Sequence, residues 1–433
     1  MPRLKIDEPA LFIEIVKDAI SCLEPNATFS VSFRNWDQYD YDERFLIEYL
    51  GLPNLLSSLG ASTPEIALRN VLVRMRGRSD QTVEIFQTEI ETEFAAIQAR
   101  RSEMWTMVFP VNALPENLDG FGRRQFTVAG HQVIWRTWQS FWRERGQHIP
   151  ENDWIRINSR TIWSQERSNL QDYSFLTIRT SAKDEGCALA STYSVAEMFV
   201  SLLSLSRVFG VSRMSDEEAS LSHIQSPKGT FIFDSQNNFS RFDSRGDLPR
   251  EVERLSNDTM RVFKSVYDRY KMATRSQLGT VVSESIVLYH RAVTDETFAF
   301  AFLKLWMGLE KMMLMKQGLK EEDVIRRVST IFKLPYKVSR PLMDLLLKKR
   351  NALVHEGTVS QIHRTDVNYA KWLFETVLSV TLRQSQLRRT PRQAEIFLRL
   401  TGLTDAELKD YRKIAGYVRT WRTERPPKHP RPI

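Results

Sequence analysis

Glycine is the residue this chain avoids: 17 among 433 positions, well under the usual share of about 7%. A backbone with so few positions suited to left-handed turns is poorly supplied for tight hairpins, and the balance shifts towards long helices. The chain is expected to be mainly α, with a small mixed α/β N-terminal region. At 433 residues it exceeds what one hydrophobic core holds, so two or three domains are expected.

Periodicity places the elements. Leu11, Ile15, Ala19, Ile20 and Leu23 recur at helical spacing, and residues 79–101 form a second such stretch. Between Trp105 and about Thr180 the pattern changes to short extended runs, at 105–109, 125–135, 154–157 and 175–178, where aromatic and β-branched residues point to a small sheet. Thr230 to Phe233 is a further candidate strand. Tryptophans 105, 135, 138, 142, 154 and 163 fall in this region. They could stack on bases, although tryptophans in a sheet are more often core. Helix resumes near Asp184, with Val195, Phe199, Leu202 and Leu203 on one stripe. A polar stretch from Ser212 ends at Pro249, and the main boundary is expected there. The division is then an N-terminal region over 1–250, a helical bundle over 251–390, and a basic helix and tail over 391–433.

Within the bundle, one helix is expected from Thr259 to His290, weakest at Gly279. A second, capped by Thr294, Asp295 and Glu296, carries Phe298, Phe302, Leu305, Trp306, Leu309, Met312 and Met313 on one face and stops at Gly318. Glu310 lies beside that face, where a carboxylate needs a cation or a hydrogen-bond donor. A third helix covers 321–332, a fourth starts after Ser339 with Pro341 in its first turn, and a fifth covers 366–386. On the fourth, at about 100° per residue, Arg350 falls at the edge of the stripe made by Leu342, Leu346 and Leu353. An arginine there needs an anion. Asp344, Lys348, Asn351 and His355 make a separate polar stripe. Gly357 supplies a C-cap, which leaves His355 in the last turn, where the macrodipole favours an imidazolium.

Charge narrows the partners. The formal net charge is +8, and residues 383–392 hold four arginines and no acid, a tract that attracts phosphate polymers by releasing their counterions. No apolar run reaches the roughly 18 residues needed to span a bilayer. The N-terminus lacks the apolar core of a secretion signal, so no membrane association is expected and the location expected is the cytoplasm. Cys22 and Cys187 match no metal or redox spacing and read as buried thiols. No clustered His/Asp/Glu constellation appears in the N-terminal region, which leaves a metal-dependent nuclease there little support.

Arg350, Asn351 and His355 bring a guanidinium, an amide and an imidazole within about one turn. Those groups suffice in principle to cleave RNA without a metal. Spacing alone says little: Arg143 and His148 share it, and Arg124/His131 and Arg422/His429 satisfy a looser version. The first pair straddles Gly146, the second crosses an expected strand, and the third lies in a proline-rich tail. What separates Arg350/His355 is a frame of expected helices, Gly357 two residues beyond the histidine, and Glu310 on an earlier helix. Ordinary helix-end capping is the bland alternative, but it does not account for an arginine bordering an apolar stripe.

The tract from Arg350 to Gly357, preceded by Leu305-Trp306-Met307-Gly308-Leu309-Glu310, resembles the HEPN superfamily of ribonucleases, and most of all its Apea-like branch, associated with prokaryotic defence. The resemblance covers about residues 255–390. It implies a HEPN-type bundle in which His355 is general acid/base for attack of a ribose 2′-hydroxyl, Arg350 holds the phosphate, Asn351 orients either, and Glu310 positions Arg350 or His355. It implies no metal and no cofactor, products with 2′,3′-cyclic phosphate and 5′-hydroxyl ends, and a homodimer pairing two motifs in one cleft. Lys348, Lys349, Arg383, Arg388, Arg389 and Arg392 would then serve as rails for RNA. A role in phage defence or as a toxin-like effector follows, with a phage-derived or antitoxin-like regulator as a further partner. The alternative is a catalytically silent HEPN module acting as a scaffold. Gly357 stands where the branch silenced by nucleotidylation has tyrosine, which puts that control in doubt.

Overall fold

The computed structural model describes residues 8–22, 36–52, 64–76, 78–116, 123–161, 170–211, 221–244, 248, 251–314, 321–331, 336–357, 362–387, 390–400 and 405–423. Leu23, Trp163, Gly318, Arg388 and Arg389 lie outside them. The chain forms two compact units: Met1–Pro110, Gly120–Ala196 and Pro227–Arg250, and Val111–Asp119, Glu197–Ser226 and Glu251–Ile433.

The described strands, in chain order, are β1 (Glu103–Val111), β2 (Ala113–Pro115), β3 (Arg123–Val128), β4 (His131–Thr137), β5 (Ser174–Ala182), β6 (Gly229–Phe233), β7 (Phe239–Ser244) and β8 (Glu253–Leu255). The described α-helices of the first unit include α1 (Pro9–Ser21), α2 (Trp36–Tyr49), α3 (Pro64–Arg76), α4 (Val83–Ala99), α5 (Trp138–Glu144) and α6 (Glu151–Thr161). Phe12, Val16, Leu46, Leu68, Leu72, Phe86 and Ile90 form a core among α1 to α4. Glu89 and Glu93 of α4 are nearly buried there, held by Arg74 of α3, whose Nε and Nη1 donate to them at 2.7 and 2.8 Å. A six-stranded sheet follows in the order β3-β4-β5-β1-β6-β7. Its tightest turn is Ala129-Gly130, with φ of 48° and 83°, both left-handed as a two-residue hairpin turn requires. Trp138, Trp142 and Trp154 pack on one another beside Phe141, Phe175 and Phe231. Trp135 is fully buried and donates to Ser174.

Helix α7 (Glu185–Val208) contributes residues to both units. By length and composition it could cross a membrane, but 78% of its apolar window is buried within the protein. The second unit holds α8 (Asn257–Ala273), α9 (Gly279–Val293), α10 (Phe298–Met313), α11 (Glu321–Ile331), α12 (Tyr336–Glu356), α13 (Arg364–Gln386), α14 (Pro391–Leu400) and α15 (Asp405–Thr423). Here β2 pairs with β8 in parallel. Helix α10 is central, packing on α9, α11, α12 and α13. Gly308 makes that possible, because a Cβ there would overlap the Phe374 ring of α13.

The same helix α13 buries a charge pair. Lys371 and Glu375 are 3% and 7% exposed. The ammonium donates to Glu375 and to the carbonyl oxygens of Val208 and Val211, the latter two at 2.8 and 2.5 Å. Glu375 also accepts from the Tyr289 hydroxyl and, at 3.1 Å, from the Gly210 N–H. The carbonyl of Val208, the last residue of α7, and that of Val211 just beyond it thus meet a cation, the sign that the helix dipole favours.

Several expectations are corrected. Residues 154–157 are not a strand but part of α6, because Pro150 precedes a first turn carrying Glu151 and Asp153, and Ile157 points inward while Ile155 is exposed. The segment 125–135 is a hairpin, not one run. The helix expected from Thr259 to His290 is two helices. Ser276 accepts from the Leu278 N–H and donates to the Ala273 carbonyl at the break, and Gly279 approaches Thr274 closely enough that a Cβ would be crowded. The cap of α10 is Thr297, which accepts from Phe300, rather than Thr294. Helix α12 begins before Ser339, at Tyr336, with Pro341 inside it. Cys22 is buried, but Cys187 is only half-buried.

Removing one member of a buried pair strands the other. Lys371→Met is expected to lower stability by about 3–5 kcal/mol. The double variant Lys371→Met/Glu375→Leu should recover part of that and no more, since the Val211 carbonyl loses the lysine donor and the Gly210 N–H loses its acceptor. Urea unfolding followed by circular dichroism measures both; equal losses in the single and double variants would show that the two side chains are not coupled.

Candidate functional site

Two helices supply the motif. Helix α10 carries Trp306 and Glu310, one turn apart on one face, and α12 carries Arg350, Asn351 and His355. Glu310 Oε1 accepts from Trp306 Nε1 at 2.8 Å and stands 3.3 Å from Arg350 Nη2. Arg350 Nη1 in turn donates to Asn351 Oδ1 at 3.0 Å. The Arg350 and Glu310 side chains are 17% and 20% exposed, so the pair is largely withdrawn from water and its attraction is less screened than at an open surface.

Arg350 was expected at the edge of the apolar stripe. Its setting is deeper, because Met343 is buried along with Leu346 and Leu353 and widens the stripe to both sides of the arginine. Asn351 is half-buried, and Lys348 and His355 are exposed. Gly357 adopts φ 67°, the left-handed conformation of a helix C-cap, and His355 is in the last turn. Five residues of α-helix separate Arg350 from His355, a rotation of about 140°. Within one chain the guanidinium faces the bundle while the imidazole faces outward, and Asn351 lies between them.

The expected RNA rails are not all gathered here. Lys349 Nζ donates to Asp366 Oδ2 at 2.7 Å, and that carboxylate also accepts from the His363 N–H at the start of α13; Lys349 is engaged in holding two helices together. Arg383 and Arg392 are exposed, but Arg383 lies seventeen residues along α13 from Asp366, about 26 Å at the α-helical rise. Arg388 and Arg389 are outside the described residues. No group of three or more His, Cys, Asp or Glu that could hold a metal ion occurs among the described residues.

Two features went unseen in the sequence. Trp306 secures Glu310, and its spacing of four residues on one helix was the available signal. His290 is fully buried between two hydroxyls, with Nδ1 2.9 Å from Ser204 Oγ and Nε2 3.1 Å from Ser226 Oγ. Burial, with Arg291 and Lys304 adding to it, pushes its pKa down to about 3. A neutral ring with one donor and one acceptor nitrogen suits two hydroxyls, so this is a satisfied core histidine and no sequence pattern announced it.

No family model matches the chain, and neither a curated protein nor a solved structure matches it.

His290 makes stability depend on pH. The unfolded imidazole takes a proton below about 6.5, whereas the folded one resists until about 3. Its contribution is therefore intact above about pH 6.5 and is lost at roughly 1.4 kcal/mol per pH unit as pH falls through that window. Stability measured against pH should be flatter in His290→Gln than in the parent by that slope. Parallel curves would mean that the folded ring titrates normally.

Proposed function

We propose that the chain is a metal-independent endoribonuclease, cleaving RNA by attack of a ribose 2′-hydroxyl on the adjacent phosphate to leave 2′,3′-cyclic phosphate and 5′-hydroxyl ends. The observation that carries the reading is the convergence of Glu310, Arg350 and Asn351 from α10 and α12, four residues before an exposed His355. An arginine held by a carboxylate and an amide is preorganised, and a planar fork of N–H donors suits an equatorial phosphate charge. An exposed imidazole in the last turn of a helix is accessible to a substrate hydroxyl, and imidazole chemistry operates near neutral pH.

The rotation of about 140° between Arg350 and His355 bears on assembly. The two groups of one copy face apart, so one phosphate is more readily addressed by groups from two copies. A homodimer is therefore part of the proposal, as the resemblance to HEPN proteins implies, and a role in phage defence or as a toxin-like effector goes with the same resemblance. A second reading has its own support. Arg350 is already matched by Glu310, which suits a structural ion pair in a silent scaffold.

Activity on RNA in EDTA distinguishes the two. His355→Ala is expected to lower the cleavage rate by about 10²- to 10⁴-fold, the range for a general acid/base, while circular dichroism and sedimentation remain as in the parent. Arg350→Lys should keep part of the stability but little of the rate, since an ammonium cannot offer the bidentate fork. The fragment upstream of each cut should lack a 3′-hydroxyl and the fragment downstream should begin with a 5′-hydroxyl. Undiminished cleavage by His355→Ala would sink the enzyme reading, and absence of cleavage by the parent dimer on any RNA would favour the scaffold.

A further inference from the structure

The first unit contains an unusual concentration of guanidinium groups around a cleft of about 360 Å³. Arg145, just past α5 and 6% exposed, and Arg179 of β5 line it, and Arg136 of β4, 2% exposed, lies close enough to act on Arg145 without lining the cleft itself. Burying one arginine without a partner is costly, and placing others beside it adds repulsion. Arg136 has an answer, the Glu144 carboxylate. Among the described residues, neither Arg145 nor Arg179 forms an ion pair. The Arg145 guanidinium carbon lies 5.6 Å from the centre of the Phe233 ring, which supports it without neutralising it.

The acids at the cleft do not supply the missing charge. Glu144 is paired with Arg136. Asp234 is turned into the β6–β7 connection, accepting from the Gln236 and Asn238 N–H groups at 2.9 and 2.8 Å and from the Asn238 side-chain amide at 3.1 Å. The electrostatic consequence falls on Arg145: burial first, then Arg179 and Arg136, push its pKa down to about 10 despite the opposing effect of Glu144. A second group is also unanswered. Asn237 lines the cleft with its Oδ1 buried and without a hydrogen-bond partner among the described residues, in a left-handed backbone conformation of φ 69°.

We propose that this cleft is a binding site for a small phosphorylated ligand of mononucleotide size, whose phosphate is held by Arg145 and Arg179 and whose polar remainder meets the Asn237 amide. Two guanidinium groups balance a phosphate dianion and match its tetrahedral oxygens through N–H pairs. The Thr106 and Ser235 hydroxyls in the lining add donors of the kind that complete phosphate sites. The cleft lies near the small end of the roughly 300–1,000 Å³ typical of ligand pockets, room for one nucleotide and not for a polymer tract. The site is independent of the ribonuclease reading, since none of its residues belongs to that motif.

Isothermal titration calorimetry on the full chain tests it, with 5′-AMP, inorganic phosphate and adenosine as probes at constant ionic strength. Saturable 1:1 binding of 5′-AMP, weaker binding of phosphate and none of adenosine is the expected pattern. Arg179→Ala, at an exposed position, should weaken 5′-AMP at least tenfold with no change in melting temperature. Arg145→Gln should abolish binding, and in the absence of ligand it should melt no lower than the parent, because it removes an unpaired buried cation. A parent that binds neither anion, adenosine binding as well as 5′-AMP, or full affinity in Arg179→Ala overturns the proposal. Should Arg145→Gln fail to fold, the titration of Arg179→Ala decides.

Discussion

A lysine ammonium buried in the helical unit sets the conditions for much else there. Lys371 is held at that depth by Glu375 and by two backbone carbonyls, at the end of α7 and just beyond it. Tyr289 of α9 completes the shell of the carboxylate. The arrangement fixes α13 against the end of α7 and against α9, and desolvated charges tolerate little displacement. One turn of α13 then does two things, since Phe374, beside Glu375, is the ring against which Gly308 lets α10 settle. Glu310 is two residues beyond that glycine. The carboxylate facing Arg350 is thus carried on the helix that packs against the one holding the buried pair.

Two arginines show how differently the same group can be accommodated. Arg350 lies within an apolar stripe but meets Glu310 and Asn351, so its charge is answered within the chain. Arg145 is more deeply buried and has other guanidinium groups beside it, while the neighbouring Glu144 carboxylate is taken by Arg136. Folding leaves the first charge balanced and the second in excess. Such excess destabilises the free protein, and relief by a bound anion is the thermodynamic route by which a site of this kind gains affinity.

Much of the architecture was legible in the sequence where long apolar periods repeat. Helices α7 and α10 fall where Val195, Phe199 and Leu202, and Phe302, Leu305 and Leu309, recur in helical register, because a wide buried stripe needs no partner to announce it. Short segments misled. Trp154 and Ile157 sit three apart and read equally as strand or helix over four residues; the acidic turn after Pro150 decided in favour of helix. The break before Gly279 is built from a serine hydroxyl bridging backbone groups, a device the apolar pattern does not encode. The convergence of Glu310 with Arg350 was expected from two separate anomalies, each a charge beside an apolar face, and each wanted the opposite sign.

By itself, then, the sequence determined that the chain would be mainly helical, that Arg350 would need an anion, and that Asn351 and His355 would share a helix face, since these are properties of local spacing along one element. Tertiary structure alone decided that Lys349 is spent on Asp366, and that Arg145 and Arg179 meet at one cleft with Arg136 close by. Those outcomes depend on which elements pack together, and a guanidinium on one strand carries no record in its neighbours of the charge another segment will bring beside it.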